Sequence, residues 1–359
     1  MPANPDMLRL ARQRRGFQQT EAAKRLGIEQ PLLSRLENGL SEIRDDLLLR
    51  AEQVYGLPRT FFLQTDPVYG APVSVHPMWR RKADVSAREM DAVVAELNVR
   101  VMHLRRLLQG VDIANTSDLP RLDIDDYGSA EKVAAVLRAH WQVPRGPLKD
   151  LTTLVEKAGV LVVHSNMAGA SISGVTFAVP GMPRLIVLNN DQPADRMRFT
   201  LAHELAHLVM HRFPSPTMEE EANQFASALL LPASDLKPYI TGRRVDLSLL
   251  AALKTEWRVS MQSLLMAITK AAPLTPNQSQ YLWKQISARG YRLREPPELD
   301  FEPEQPTVMD TMVKVHMTGL GYALEDIAKL LAAHESDLLE LYPAISSSKE
   351  EYRRITIVK

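Results

Sequence analysis

The chain has 359 residues, 45% of them hydrophobic and 24% charged, which is the composition of a globular protein with about two or three domains. Its 43 Lys and Arg balance 43 Asp and Glu, so a DNA contact would have to come from a local arrangement of charge. The absence of cysteine excludes disulfides and thiolate ligands and leaves His, Asp and Glu to hold a metal. The first residues lack the apolar stretch of a signal peptide, and no run of about 18 apolar residues is present to span a membrane. We therefore expect a cytoplasmic protein.

The N-terminal block, residues 1–65, is predicted to fold into short helices. The segments FQQTEAAKRLGI and EQPLLSRLENG each carry apolar residues at helical spacing, and each ends at a glycine, Gly27 or Gly39. Two helices joined by a tight turn that contains glycine are typical of a helix-turn-helix. A further amphipathic segment, DDLLLRAEQVYGLP, is predicted to complete a small core.

Two clusters of proline divide the rest of the chain. The segment TDPVYGAPVSVHP (65–77) predicts a linker over 66–85, and REPPELDFEPEQP (294–306) predicts a second boundary. A large central block, 86–293, and a C-terminal helical region, 294–359, follow from these two boundaries.

The central block is predicted to mix helices with a small sheet. It opens with a long amphipathic helix over 86–110, and KDLTTLVEKAGVLVVHS then indicates a helix followed by a strand. ISGVTFAVPGMPRLIVLNN has two β-rich runs around PGMP, which predicts a hairpin, and this hairpin leads directly into FTLAHELAHLVMHR (199–212). The expected fold class is α+β and mostly helical.

The segment HELAH has the spacing of a metal site. His203 and His207 lie four residues apart, on one helix face and about 6 Å apart along the axis, so both can bind one ion. Glu204 lies beside the pair, where a carboxylate can take a proton from water. The surrounding residues are apolar on nearly every side, which predicts a buried helix, and a buried pair of histidines with a carboxylate favours a metal over an ordinary polar face.

A third ligand is expected from the segment MEEEANQFASALLLP. His211 continues the face of the other two histidines, but it lies roughly 12 Å from His203 along a straight helix, so we expect it to support the site from the helix end. At about 100° per residue, Glu220 falls opposite the apolar face of the next helix. Glu219 and Glu221 flank that face on either side, and periodicity does not choose between them.

The motif RFTLAHELAHLVMH followed by EEANQFASALLLP resembles the ImmA/IrrE family of zinc metallopeptidases. The resemblance extends well beyond these two motifs, and Ala206 stands where family members often have glycine. It implies a zincin-like domain of gluzincin type, with zinc bound by His203, His207 and Glu221 and with Glu204 as the catalytic base. By this resemblance Glu221, the glutamate just before Ala-Asn, would be the third ligand.

The segment QTEAAKRLGIEQPLLSRLENG resembles the XRE-type, phage-repressor-like helix-turn-helix domains. The resemblance implies that Gln19 contacts the DNA backbone and that Gln30, Leu32 and Arg35 face the major groove. The segment departs from the family at Glu29, where Ser or Thr usually caps the second helix. Residues 1–65 contain ten Lys and Arg against eight Asp and Glu, so we expect a modest dependence of DNA binding on salt.

Together these features predict a zinc-dependent endopeptidase fused to a DNA-binding domain. By resemblance, such a protein regulates a stress or phage response by cleaving a repressor or a similar protein partner. Two alternatives remain open: a transcription regulator that uses the peptidase fold as a sensor, and an antitoxin-like interaction protein. A homodimer is compatible with the sequence, since helix-turn-helix proteins commonly read paired half-sites.

Overall fold

A computed structural model of the chain describes residues 2–70, 86–113, 117–167, 172–271, 274–346 and 355–357. Most of the linker predicted at 66–85 lies outside these described residues. The described residues are mainly helical, with one three-stranded sheet and one pair of short strands. The predicted α+β, mostly helical fold class is therefore confirmed. None of the described helices is long and apolar enough to cross a lipid bilayer.

Short helices make up the N-terminal region. They are α1 (Pro5–Arg14), α2 (Gln19–Leu26), α3 (Gln30–Glu37), α4 (Asp45–Tyr55) and α5 (Arg59–Phe62). Gly27 has a left-handed backbone with φ of 66°, a conformation that costs glycine little and ends α2 so that α3 can begin. The predicted helix-turn-helix is thus formed by α2 and α3, and its core encloses fully buried Leu8, Leu26 and Phe62.

The central region begins with the long helix α6 (Ala87–Leu107), which starts at a capping box between Ser86 and Glu89. The elements that follow are β1 (Val111–Ile113), α7 (Ile124–Tyr127), α8 (Ala130–His140), α9 (Leu151–Lys157), β2 (Val160–Ser165), β3 (Gly174–Phe177) and β4 (Arg184–Asn189). The predicted long helix, helix-strand unit and hairpin are confirmed.

The regular elements after β4 are almost all helices. They are α10 (Ala194–Met210), α11 (Met218–Leu230), α12 (Ala233–Ile240), α13 (Leu247–Trp257), α14 (Met261–Ala271), α15 (Pro276–Ala288), α16 (Val308–Gly319), α17 (Leu324–Leu331) and α18 (Glu335–Leu341). Two 3₁₀ helices lie at Pro297–Leu299 and Pro343–Ser346, and β5 (Ile355–Ile357) pairs antiparallel with β1.

The three-stranded sheet has the order β2–β4–β3. The central strand β4 runs parallel to β2, with Val160 opposite Arg184, and antiparallel to its hairpin partner β3. Side chains of β2 alternate between two cores: Val160 and Val162 pack with α8 to α15, whereas Leu161 and Val163 pack with α6 and the C-terminal helices. Because both faces are covered, β2 is a continuous apolar run in the sequence.

The N-terminal region packs on α6. Ala95, Val99 and Met102 of this helix belong to the N-terminal core, while other residues of α6 belong to the core on the sheet. Arg14 of α1 also forms an ion pair with Glu96 of α6, with 2.8 Å between Nε and Oε2. The long helix therefore connects the helix-turn-helix to the core on the sheet.

Candidate functional site

Helix α10 carries the HELAH motif and is buried on nearly every side. His203, Glu204 and His207 are 9%, 1% and 6% exposed, because the sheet covers one side of α10 and α11 packs on another. The helix ends at His211, whose extended backbone (φ −98°, ψ 115°) turns the chain towards α11. The buried helix expected from the apolar surroundings of the motif is confirmed.

Three side chains converge where α10 meets α11. The Nε2 atoms of His203 and His207 are 3.1 Å apart. The carboxylate of Glu219 lies beside both, with Oε2 3.5 Å from His203 Nε2 and Oε1 3.4 Å from His207 Nε2. Three ligand atoms bound tetrahedrally to zinc at about 2.1 Å lie roughly 3.4 Å from one another. The group of His203, His207 and Glu219 therefore has the spacing of a zinc site.

The carboxylate in this group is Glu219, whereas the resemblance implied Glu221. Glu221 Oε2 instead lies 3.1 Å from His211 Nε2. Two residues along a helix rotate the side chain by about 200°, so Glu219 and Glu221 leave opposite flanks of the apolar face of α11. Since α11 packs on α10 with the Glu219 flank towards the two histidines, only Glu219 joins them.

The hydrogen bond of His203 fixes which of its ring nitrogens carries the proton. Its Nδ1 lies 3.1 Å from Asn223 Oδ1 on α11. An amide oxygen only accepts hydrogen bonds, so Nδ1 donates, and in the neutral ring Nε2 is then the nitrogen with the lone pair that can bind a metal.

The same reasoning applies to His207 through two further residues. The Glu221 carboxylate accepts a hydrogen bond from His211 Nε2, so neutral His211 presents an unprotonated Nδ1. His207 Nδ1 lies 2.9 Å from this atom and donates to it. This series of hydrogen bonds leaves the lone pair of His207 Nε2 directed at His203 and Glu219. Ring nitrogens that bind metal are commonly held this way, with the other nitrogen donating to a neighbour.

The centre of this group favours a positive charge. Burial alone would lower the pKa of His203, but the hydrogen bond with Glu219 and the charges of Glu204 and Glu219 outweigh it and raise that pKa. Glu219 Oε1 is buried with no hydrogen-bond partner among the described residues. Burial, aided by His203 and His211, lowers the pKa of His207 to about 2, so the ring is neutral, as a metal ligand must be. A divalent cation would satisfy all three donors at once, and nitrogen and oxygen ligands suit zinc. The residues present therefore fit the metal.

Glu204 lies close enough to His203 and Glu219 to interact with their charges, and its carboxylate is hydrogen-bonded to the sheet. Its Oε2 accepts a hydrogen bond of 2.8 Å from Thr176 Oγ1 on β3. Burial raises the pKa of Glu204, although His203 and this hydrogen bond act in the other direction. Thr176 could not be predicted from the sequence, because only the packing of β3 beside α10 brings its hydroxyl to the glutamate.

A cleft of about 420 Å³ opens beside His207 and His211. One wall is strand β3 and the residues after it, Thr176 to Val179. β3 is the terminal strand of its sheet and pairs only with β4 among the described strands. The remaining lining comes from residues 69–70, Arg121 before α7, the start of β4, the end of α10 with the residues after it, and the start of α11.

The residues predicted to contact DNA lie at the start of α2 and along α3. Gln19 and Gln30 are the first residues of α2 and α3, and Gln30 Nε2 donates to Gln19 Oε1 at 2.9 Å. Gln19 in turn donates to Glu37. Leu32, 38% exposed, and exposed Arg35 project from α3. Glu29 is the residue just before α3, and its side chain makes no capping hydrogen bond to the helix. Ser or Thr, which family members usually have at this position, would be expected to make one.

Comparison with known protein families supports both halves of this arrangement. The model of the family described as Peptidase M78, IrrE N-terminal-like domain, matches residues 155–269, which include β2 to α14 and the whole histidine and glutamate group. A helix-turn-helix family model matches residues 8–62. A search of curated proteins found no match.

Proposed function

We propose that this protein is a zinc-dependent endopeptidase and a DNA-binding regulator in one chain. The matches of residues 155–269 to the IrrE N-terminal-like peptidase family and of residues 8–62 to a helix-turn-helix family support this proposal. The observation that carries the proposal is the convergence of His203, His207 and Glu219 beside buried Glu204. Zinc is proposed to be held by these three side chains, with Glu219 in place of Glu221.

The reaction proposed is hydrolysis of a peptide bond. When bound, zinc supplies Lewis-acid polarisation of a carbonyl and makes water more acidic. Glu204 takes a proton from the attacking water and returns it to the leaving amine. The hydrogen bond from Thr176 holds the Glu204 carboxylate in place, and Asn223 and His211 keep the two imidazoles in the form that binds metal.

The substrate is proposed to bind as an extended segment along β3. The terminal strand of a sheet can add a peptide through main-chain hydrogen bonds, and this strand forms a wall of the cleft that opens at His207. A strand in that position would present its backbone to Glu204 and to the ligand group.

DNA is the second proposed partner. Gln19 would contact the phosphate backbone, and Gln30, Leu32 and Arg35 would face base edges in the major groove. The outer face of α3 remains exposed in the full chain because the N-terminal region packs on α6 through α1. The chain can therefore bind DNA and keep its peptidase domain attached, which would bring the peptidase to a repressor bound at the same site in a stress or phage response.

The first experiment compares new protein N-termini in the native cell between the wild type and Glu204→Gln, under DNA damage and other stresses. We expect new termini that appear only with Glu204 intact, and these would also name the substrate. Glu220→Gln is the matched control, since Glu220 is exposed on the far side of α11 and bonds only to Gln224 among the described residues.

Zinc content is measured on the same purified proteins. If Glu204→Gln keeps its zinc and yet the termini do not differ under any stress, the peptidase proposal fails. The protein would then be a regulator that uses the peptidase fold to sense a ligand or a partner.

A further inference from the structure

Three arginine side chains line the cleft beside the metal group. Arg121, Arg184 and Arg212 line it, and its lining contains no Asp or Glu. Within the described part of the chain, none of the three guanidinium groups has a hydrogen bond or an ion pair. By contrast, arginines elsewhere are paired, such as Arg12 with Glu37 and Arg105 with Asp66.

These arginines are brought to the cleft by elements that surround the metal site. Arg121 precedes Leu122, whose backbone N–H donates to Val209 O on α10 at 3.0 Å. Arg184 is the first residue of β4, and Arg212 follows the end of α10. Both Arg121 and Arg184 line the cleft, and burial and the charge of Arg121 lower the pKa of Arg184. Like charges gathered in a cleft raise the local potential and attract an anionic ligand.

The same cleft has an apolar wall. Phe213 is 80% exposed and lies at the cleft together with buried Met218 and half-buried Leu208. The cleft thus combines a cationic side, an apolar side and the strand β3.

We propose that this cleft selects extended peptide segments that carry Asp or Glu close to a bulky apolar side chain. The inference rests on the proposed peptidase function, and it adds the chemistry of the substrate to it. Arg121 and Arg184 would bind the acidic side chain, and Phe213 would pack on the apolar one. A peptide is favoured over nucleic acid because the arginines share a small cleft with apolar side chains and a strand, whereas the helix-turn-helix offers a separate, open surface for DNA.

The test measures peptide binding apart from cleavage. Full-length, zinc-loaded Glu204→Gln is titrated with two short fluorescein-labelled peptides that have a central Phe and differ only in Glu against Gln at the flanking positions. Because a hydrogen bond between two charged groups is stronger than one to a neutral amide, we expect the Glu peptide to bind at least about tenfold more tightly. Adding Arg121→Gln and Arg184→Gln should remove that preference, and adding Phe213→Ala should weaken both peptides alike. Arg289→Gln, an exposed arginine outside the cleft lining, is the control and should change neither affinity.

Three results would overturn the inference: equal affinity for the two peptides, no binding of either, or arginine variants that weaken binding to duplex DNA and leave peptide binding unchanged. The proposed function can fail separately. If the wild type binds the Glu peptide preferentially but no acidic peptide is cut, the cleft recognises acidic segments without hydrolysing them. If peptides are cut regardless of charge, the peptidase stands and this substrate class is wrong.

Discussion

At the scale of single residues, the metal group depends on side chains that do not touch the metal position. His207 can present its Nε2 lone pair because its Nδ1 donates to His211, and His211 accepts because Glu221 holds its other nitrogen. The sequence showed that His211 is too far along the helix to share an ion with His203. It did not show that His211 and Glu221 together orient His207.

We expect His211→Ala to lower the affinity for zinc by about 10- to 100-fold, the usual effect of removing a partner that orients a metal-bound histidine. The measurement is competition for zinc with a chromogenic chelator, with thermal unfolding of the metal-free protein recorded beside it. A loss of affinity without a matching loss of stability would identify His211 as a positioning residue.

The two candidate glutamates should differ in the same assay. Glu219→Gln removes a proposed ligand and should weaken zinc binding far more than Glu221→Gln, which removes only the partner of His211. Glu220→Gln should have no effect. A larger loss from Glu221→Gln than from Glu219→Gln would restore the assignment that the family resemblance implied.

At the scale of elements, the close approach of β3 to α10 places Thr176 on Glu204. This approach requires glycine at the start of β3, because a Cβ at Gly174 would lie 2.5 Å from Thr200 Cγ2 and 3.1 Å from Leu188 Cδ2. Both Thr200 and Leu188 are buried or nearly so, so neither has free space into which it can move.

Gly174→Ala is therefore expected to reduce the free energy of unfolding by about 1–3 kcal/mol, the cost of overpacking a core. Thr200→Ser removes the clashing methyl group and should recover part of the loss when combined with it. Urea unfolding of the single and double variants checks this, with Gly70→Ala as the control, since nothing lies within 4 Å of a Cβ there. If the double variant loses the sum of the two single losses in the free energy of unfolding, the methyl group of Thr200 is not what clashes with the new Cβ.

At the scale of the whole molecule, α6 connects the DNA-binding and peptidase regions through a buried charge network. Glu96 bonds to Arg14 of α1 and to Arg100 of α6, both at 2.8 Å. Burial alone would raise the pKa of Glu96, but Arg100 and Arg14 outweigh it and hold the pKa well below its usual range. The carboxylate is therefore ionised in the folded protein.

Glu96→Gln should reduce the free energy of unfolding by about 3 kcal/mol at neutral pH, because it leaves the buried guanidinium of Arg100 without the carboxylate of Glu96. A carboxyl group whose pKa is lower in the folded than in the unfolded protein stabilises the folded state fully only above its unfolded pKa of about 4.3. The difference in the free energy of unfolding between wild type and variant should therefore be complete at pH 7 and should shrink as the pH falls below about 5. Urea unfolding across this range measures it, with exposed Glu131→Gln as control. A difference that does not change with pH would contradict the ionic role.

Local pattern alone determined much of this protein. The helix-turn-helix, the hairpin, the long helix and the buried helix with His203, Glu204 and His207 could all be predicted, because apolar periodicity and residue spacing within one element need no knowledge of its neighbours. Glu219 and Glu221 flank one apolar face almost symmetrically, so only the packing of α11 on α10 decided which of them meets the histidines. The arrangement of Thr176, His211 and the three arginines of the cleft was also decided by tertiary structure, since it brings together side chains from separate elements whose relative positions no local period encodes.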